Sequence, residues 1–133
     1  KLTGALPAIS GASLTSLPVQ QVDSGWVSLA SYLTNSWVHV SAVSYPLEYR
    51  KIGDTVILRG LAQSGTNQTI FTGLPAAITP TKHTHLTRSA SSDTAASGNN
   101  DDASWVSPAG EMGIGISGVG MSWQSIDAVY LVN

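Results

Sequence analysis

Cysteine is absent from this chain of 133 residues, which removes both a disulfide framework and any thiolate metal site. Charge is scarce as well: Asp, Glu, Lys and Arg make up 11% of the residues, against about 25% in an ordinary globular domain. The six Lys and Arg are scattered and the formal net charge is −2, so the clustered cations that grip nucleic-acid phosphates are missing. No apolar run reaches the roughly 18–20 residues that span a bilayer, and the first residues lack the basic-then-apolar order of a secretory leader. Neither nucleic acid nor membrane insertion is expected. Solubility must rest on Ser, Thr, Asn and Gln, a chemistry common on exposed β-proteins and on surfaces that meet sugars. The sequence starts at Lys1 without an initiator Met and reads as a piece of a longer protein.

What is present falls into two textures. Leu2-Thr3-Gly4-Ala5-Leu6-Pro7 is echoed by Leu14-Thr15-Ser16-Leu17-Pro18. The spacing of Leu2, Leu6, Ile9, Leu14 and Leu17 fits neither a 3.6-residue helix nor an alternating strand. A lone chain has nothing to cover these side chains, so residues 1–24 are expected to be a stalk segment, ordered only against other copies. The remaining part, 25–133, shows short β-like runs between turn residues. Strands are predicted near 26–29, 37–43, 47–52, 55–62, 69–72, 83–88, 103–106, 111–116 and 125–132, and no helix of any length. This pattern predicts an all-β domain, an antiparallel β-sandwich or a jelly-roll-like barrel.

Two segments carry more detail. Gly53-Asp54 predicts a tight reversal, because Gly tolerates positive φ and Asp bonds its own backbone, giving a hairpin with Arg50 and Lys51 on the incoming arm. In the run 55–62, Val56, Leu58 and Leu61 do not alternate and Ile57 lies on the other face. That predicts a strand buried on both sides, or one whose outer face meets a neighbouring subunit.

Leu6-Pro7-Ala8-Ile9-Ser10-Gly11-Ala12-Ser13-Leu14-Thr15-Ser16-Leu17 resembles the LPAISGA-type repeats of bacteriophage tail-fibre proteins, which precede a terminal domain. Leu47-Glu48-Tyr49-Arg50-Lys51-Ile52-Gly53-Asp54-Thr55-Val56-Ile57-Leu58-Arg59-Gly60 is similar to a segment of the C-terminal domains of such fibres. The later Gly73-Leu74-Pro75 turn and the ending Trp123-Gln124-Ser125-Ile126-Asp127-Ala128-Val129-Tyr130 follow in the same order. The stretch from 89 to 104 matches nothing in that pattern. The resemblance implies a homotrimer, a virion location with extracellular action, and adsorption to a host surface.

No enzyme is signalled. The acids Asp23, Glu48, Asp54, Asp93, Asp101, Asp102, Glu111 and Asp127 mostly fall at turns and strand ends, where capping and solvated roles are normal, and a glycosidase needs two of them flanking one bond. There is no Gly-x-Ser-x-Gly element. On a strand, His83 and His85 face the same way; they read as surface histidines after Pro80, with no metal and no cofactor. Asn99-Asn100-Asp101-Asp102 lacks calcium-loop spacing. Four tryptophans against one Phe is unusual, and core or interface packing is the default for at least two of them.

Trp105 differs, because it follows a polar stretch of 14 residues, from Ala90 to Ala103. A ring beside Asp93, Asn99, Asn100, Asp101 and Asp102 is the chemistry of sugar recognition, with CH groups over the indole and hydroxyls on the amides and carboxylates. These six residues are the candidate receptor-binding site. The chain is thus expected to be a fibre-tip domain that attaches a virion to a host surface component, a glycan or another receptor. The alternative is a trimerisation and capping domain that makes no receptor contact.

Overall fold

A computed structural model describes residues 21–40, 42, 44–86, 91–92, 104–114 and 123–132, with the backbone alone for Ser91 and Ser92. The stalk candidates Leu2, Leu6, Ile9, Leu14 and Leu17 lie outside the described residues, as do Asp93, Asn99, Asn100, Asp101 and Asp102. The described strands are β1 (Val27–Ser28), β2 (Val38–His39), β3 (Glu48–Ile52), β4 (Thr55–Arg59), β5 (Leu61–Gln63) and β6 (Thr69–Phe71). They continue with β7 (Thr84–His85), β8 (Ser91–Ser92), β9 (Ser104–Val106), β10 (Met112–Ile114), β11 (Trp123–Ser125) and β12 (Ala128–Leu131). The helical content among the described residues is two single 3-10 turns, Ala30–Tyr32 and Ala76–Ile78. Every strand pairing is antiparallel, in three sheets ordered β1-β3-β4-β12, β6-β10-β9-β7 and β2-β5-β11-β8. The fold is an all-β, sandwich-like domain, as the short runs between turn residues predict.

The hairpin β3–β4 has the expected reversal. Ile52 pairs with Thr55, and Gly53 takes φ 57° while Asp54 stays at negative φ, the pattern of a two-residue type II′ turn. Residues ahead of β1 are tied to this hairpin. Asp23 bridges Ile52, and Gly53 N–H donates to the Val22 carbonyl at 3.1 Å.

Two long predicted strands are each broken in the middle. The run 55–63 pairs with 123–131 as one bent ribbon: β4 with β12, then β5 with β11. The bend falls at Gly60, where φ is +120° and an added Cβ would stand 2.6 Å from the Pro46 carbonyl oxygen. Opposite it, Ile126 N–H donates to the Gly60 carbonyl at 3.0 Å, and the Asp127 carboxylate accepts from Gly60 N–H at 3.2 Å. Within this ribbon Val56, Leu58 and Ala62 are buried while Ile57, Arg59, Leu61 and Gln63 are half-exposed. Alternation is therefore strict, and Leu61 belongs to the outer face. The expectation of burial on both sides within one subunit is corrected.

The core draws on all three sheets. Val56, Leu58, Ala128 and Tyr130 come from the first, Ile70, Phe71, Val106, Met112 and Ile114 from the second, and Ala62 from the third. Leu29, Leu47, Leu74, Ile78, Leu86 and Ile126 close it from the connections. Of the four tryptophans only Trp37 is fully buried, at 3% exposure, with its Nε1 donating to the Asn67 carbonyl at 2.9 Å. Core packing, one of the two expected roles, is thus taken by Trp37.

Candidate functional site

The second sheet places Trp105 in its second position from one edge. In register, β7 sets His85 directly across from Trp105, and β10 sets Gly113 on the other side. Paired residues of an antiparallel ladder project to the same face. Because Gly113 has no side chain, the indole packs over it: a Cβ there would come 2.5 Å from Trp105 Cζ2. His83, two residues before His85, brings its ring to 5.2 Å from that of Trp105, with 34° between the planes. The two imidazoles stand 5.6 Å apart. Both histidines are exposed and Trp105 is half-buried.

The result is an aromatic shelf flanked by imidazole nitrogens, held on three strands. A flat ring takes sugar CH groups, and imidazoles give and accept hydrogen bonds. A cleft of about 350 Å³ adjoins the same strand, lined by Pro80, Thr81, Lys82, Thr84 and Leu131. A second, of about 390 Å³, shares Pro80 and Thr81 with it and reaches Leu74 and Pro108. Thr84 pairs with the buried Val106, so the first cleft lies on the side of β7 opposite His85 and the shelf.

Of the six candidate site residues, Trp105 is the one the described structure places. Its predicted polar partners lie outside the described residues. The polar stretch ahead of it is also shorter than the sequence suggests, because Ser91–Ser92 pairs with β11 through Trp123↔Ser92 and Gln124↔Ser91. The histidines, considered as a pair on their own, become partners of Trp105. Only the β7–β9 register reveals this, since the residues are about twenty positions apart in sequence.

Three of the described acids, Asp23, Glu48 and Asp127, are engaged structurally. Asp23 accepts from Arg50 through Nε at 2.9 Å and through Nη2. The hydrogen bond from Arg50, then the one from Gly25 N–H, holds its carboxyl down to about 2, the opposite of the shift a general acid needs. Glu48 Oε2 accepts from Arg59 Nη2 at 2.7 Å. Asp127 is turned to the Gly60 N–H and the Ser125 hydroxyl. Among the described residues no three His, Asp or Glu side chains gather as a metal site.

A second aromatic cluster was not anticipated. The Arg59 guanidinium carbon lies 3.7 Å from the Trp26 ring centroid and 4.9 Å from that of Tyr45. Trp26 and Tyr45 are 36% and 69% exposed. No protein family, curated protein or solved structure matches the chain.

Proposed function

We propose that this chain is the receptor-facing domain of a bacteriophage tail-fibre-type protein, a non-catalytic homotrimer that attaches the virion to a saccharide on the host cell surface. The fibre identity rests on the ordered resemblances of the stalk-like segment, the hairpin and the ending. The saccharide contact rests on one observation: Trp105 packs over Gly113 with His83 and His85 beside it. An enzyme needs an acid free to move a proton, whereas Asp23, Glu48 and Asp127 are bound to arginines, backbone or a serine.

The test is titration of the purified chain with a panel of bacterial surface saccharides, followed by Trp fluorescence and by amide shifts. Trp105→Ala is expected to weaken binding at least about tenfold, the equivalent of about 1.4 kcal/mol. His83→Ala with His85→Ala should act in the same direction, and Trp123→Phe should leave binding unchanged. Binding untouched by Trp105→Ala would place the contact elsewhere. Failure of the wild type to bind any saccharide or host cell would favour the capping role, and shortening of the polysaccharide would make the protein an enzyme.

A further inference from the structure

Seven large apolar side chains are exposed among the described residues, and four of them, Trp26, Tyr45, Val129 and Leu131, lie on the outer side of one sheet or on the segments entering it, whereas Val27 pairs with the buried Tyr49 and faces inward. Soluble monomers seldom gather exposed apolar groups in this way. The register shows how they assemble. Arg50, Ile57 and Val129 form one outward row across three strands, and Ile52, Thr55 and Leu131 form the next. Val129 and Leu131 are 59% and 56% exposed, although β12 alternates them with the buried Ala128 and Tyr130. At one end of this face stands the Trp26–Arg59–Tyr45 stack. Trp, Tyr and Arg are the side chains that anchor protein–protein interfaces, and here the arginine is already fixed by two hydrogen bonds to Glu48.

Charge decides the occupant. Arg59 is matched by Glu48 and Arg50 by Asp23 within the face itself, and Asp127 at its margin is turned to backbone and Ser125. A partner selected by charge would find no excess of either sign to read. Copies of this face converging about a threefold axis meet no like-charge repulsion and strand no ion when water leaves. We propose that the outer face of the β1-β3-β4-β12 sheet is the surface through which copies of this chain meet, with Val129 and Leu131 on its β12 edge and the Trp26–Arg59–Tyr45 stack as its anchor. The proposal rests on the homotrimer reading and assigns it a surface.

Sedimentation of the whole chain tests both levels separately. The wild type should sediment as an oligomer. Val129→Asp, which changes a side chain pointing to solvent in the single subunit, should raise the dissociation constant at least about a hundredfold. Val38→Asp, at the exposed apolar residue of the β2-β5-β11-β8 sheet, should not. Because the chain has no cysteine, Val129→Cys and Val38→Cys give a second readout with smaller changes: the thiol at position 129 should react with a maleimide at least about tenfold more slowly than the one at 38, and equally fast once the oligomer is diluted apart. An oligomeric wild type with Val129→Asp still assembled and both thiols equally reactive would overturn the assigned face and leave the oligomer standing. A monomeric wild type at about 100 μM, where a Kd near 1 μM would hold the copies together, would overturn both.

Discussion

At the scale of single residues, Tyr130 carries a polar atom into the core and satisfies it there. Its hydroxyl donates to the Ile78 carbonyl at 2.6 Å, tying β12 to the 3-10 turn Ala76–Ile78. Burial pushes the phenol well above its ordinary range, so the folded protein keeps a proton that the unfolded chain gives up from about pH 10. In that window the folded state binds more protons, and stability falls as pH rises. Tyr130→Phe is expected to cost about 1–2 kcal/mol at neutral pH, because the Ile78 carbonyl loses its donor, and to flatten the alkaline fall. Urea midpoints at neutral pH and near pH 10.5 check both effects. Residues of this kind were partly legible: a Trp after a polar stretch announces presentation, and Trp105 is indeed half-exposed. Its histidine neighbours were not, because neither composition nor spacing states which strand lies beside which. Trp26 and Arg59 were hidden for the same reason.

Among the elements, turn chemistry was the most readable feature. Gly53-Asp54 and Pro108-Ala109-Gly110 both reverse the chain between paired strands, since positive φ or a fixed φ is a local property of the residue. Strand length was less readable. The runs 55–62 and 125–132 look continuous because apolar residues fill them, yet both bend at one level of the ribbon. The cause is contact with Pro46 and Leu47, which no local pattern encodes. Gly60→Ala should therefore destabilise the domain by about 2–4 kcal/mol, combining backbone strain with overpacking. Gly73→Ala is the control: its φ is +68° but nothing lies within 4 Å, so only the left-handed penalty of about 1–2 kcal/mol applies. Denaturant titration of the two variants separates steric contact from conformation. Equal losses would mean that the Pro46 contact yields without cost.

For the molecule as a whole, the all-β class was legible from short strands and absent helices, while the division into three sheets required registers that a sequence does not carry. Assembly and recognition also meet at this scale. A single saccharide contact on an open shelf is expected to be weak, in the millimolar range or about 4 kcal/mol. Linked sites on a multivalent cell surface raise apparent affinity by about two to four powers of ten without any new contact. Leu131 of the same face borders the first of the clefts, but Val129 lines neither, and it lies on a different sheet from Trp105. Dissociating the oligomer through Val129→Asp should therefore leave the affinity of one subunit for a soluble saccharide unchanged, while binding to whole cells falls by about a hundredfold or more. Trp105→Ala should reduce both together. Amide-shift titration measures the first quantity and cell pull-down the second. If Val129→Asp weakened the two to the same extent, the shelf would be completed by a neighbouring copy; if it weakened neither, adsorption would not depend on valency.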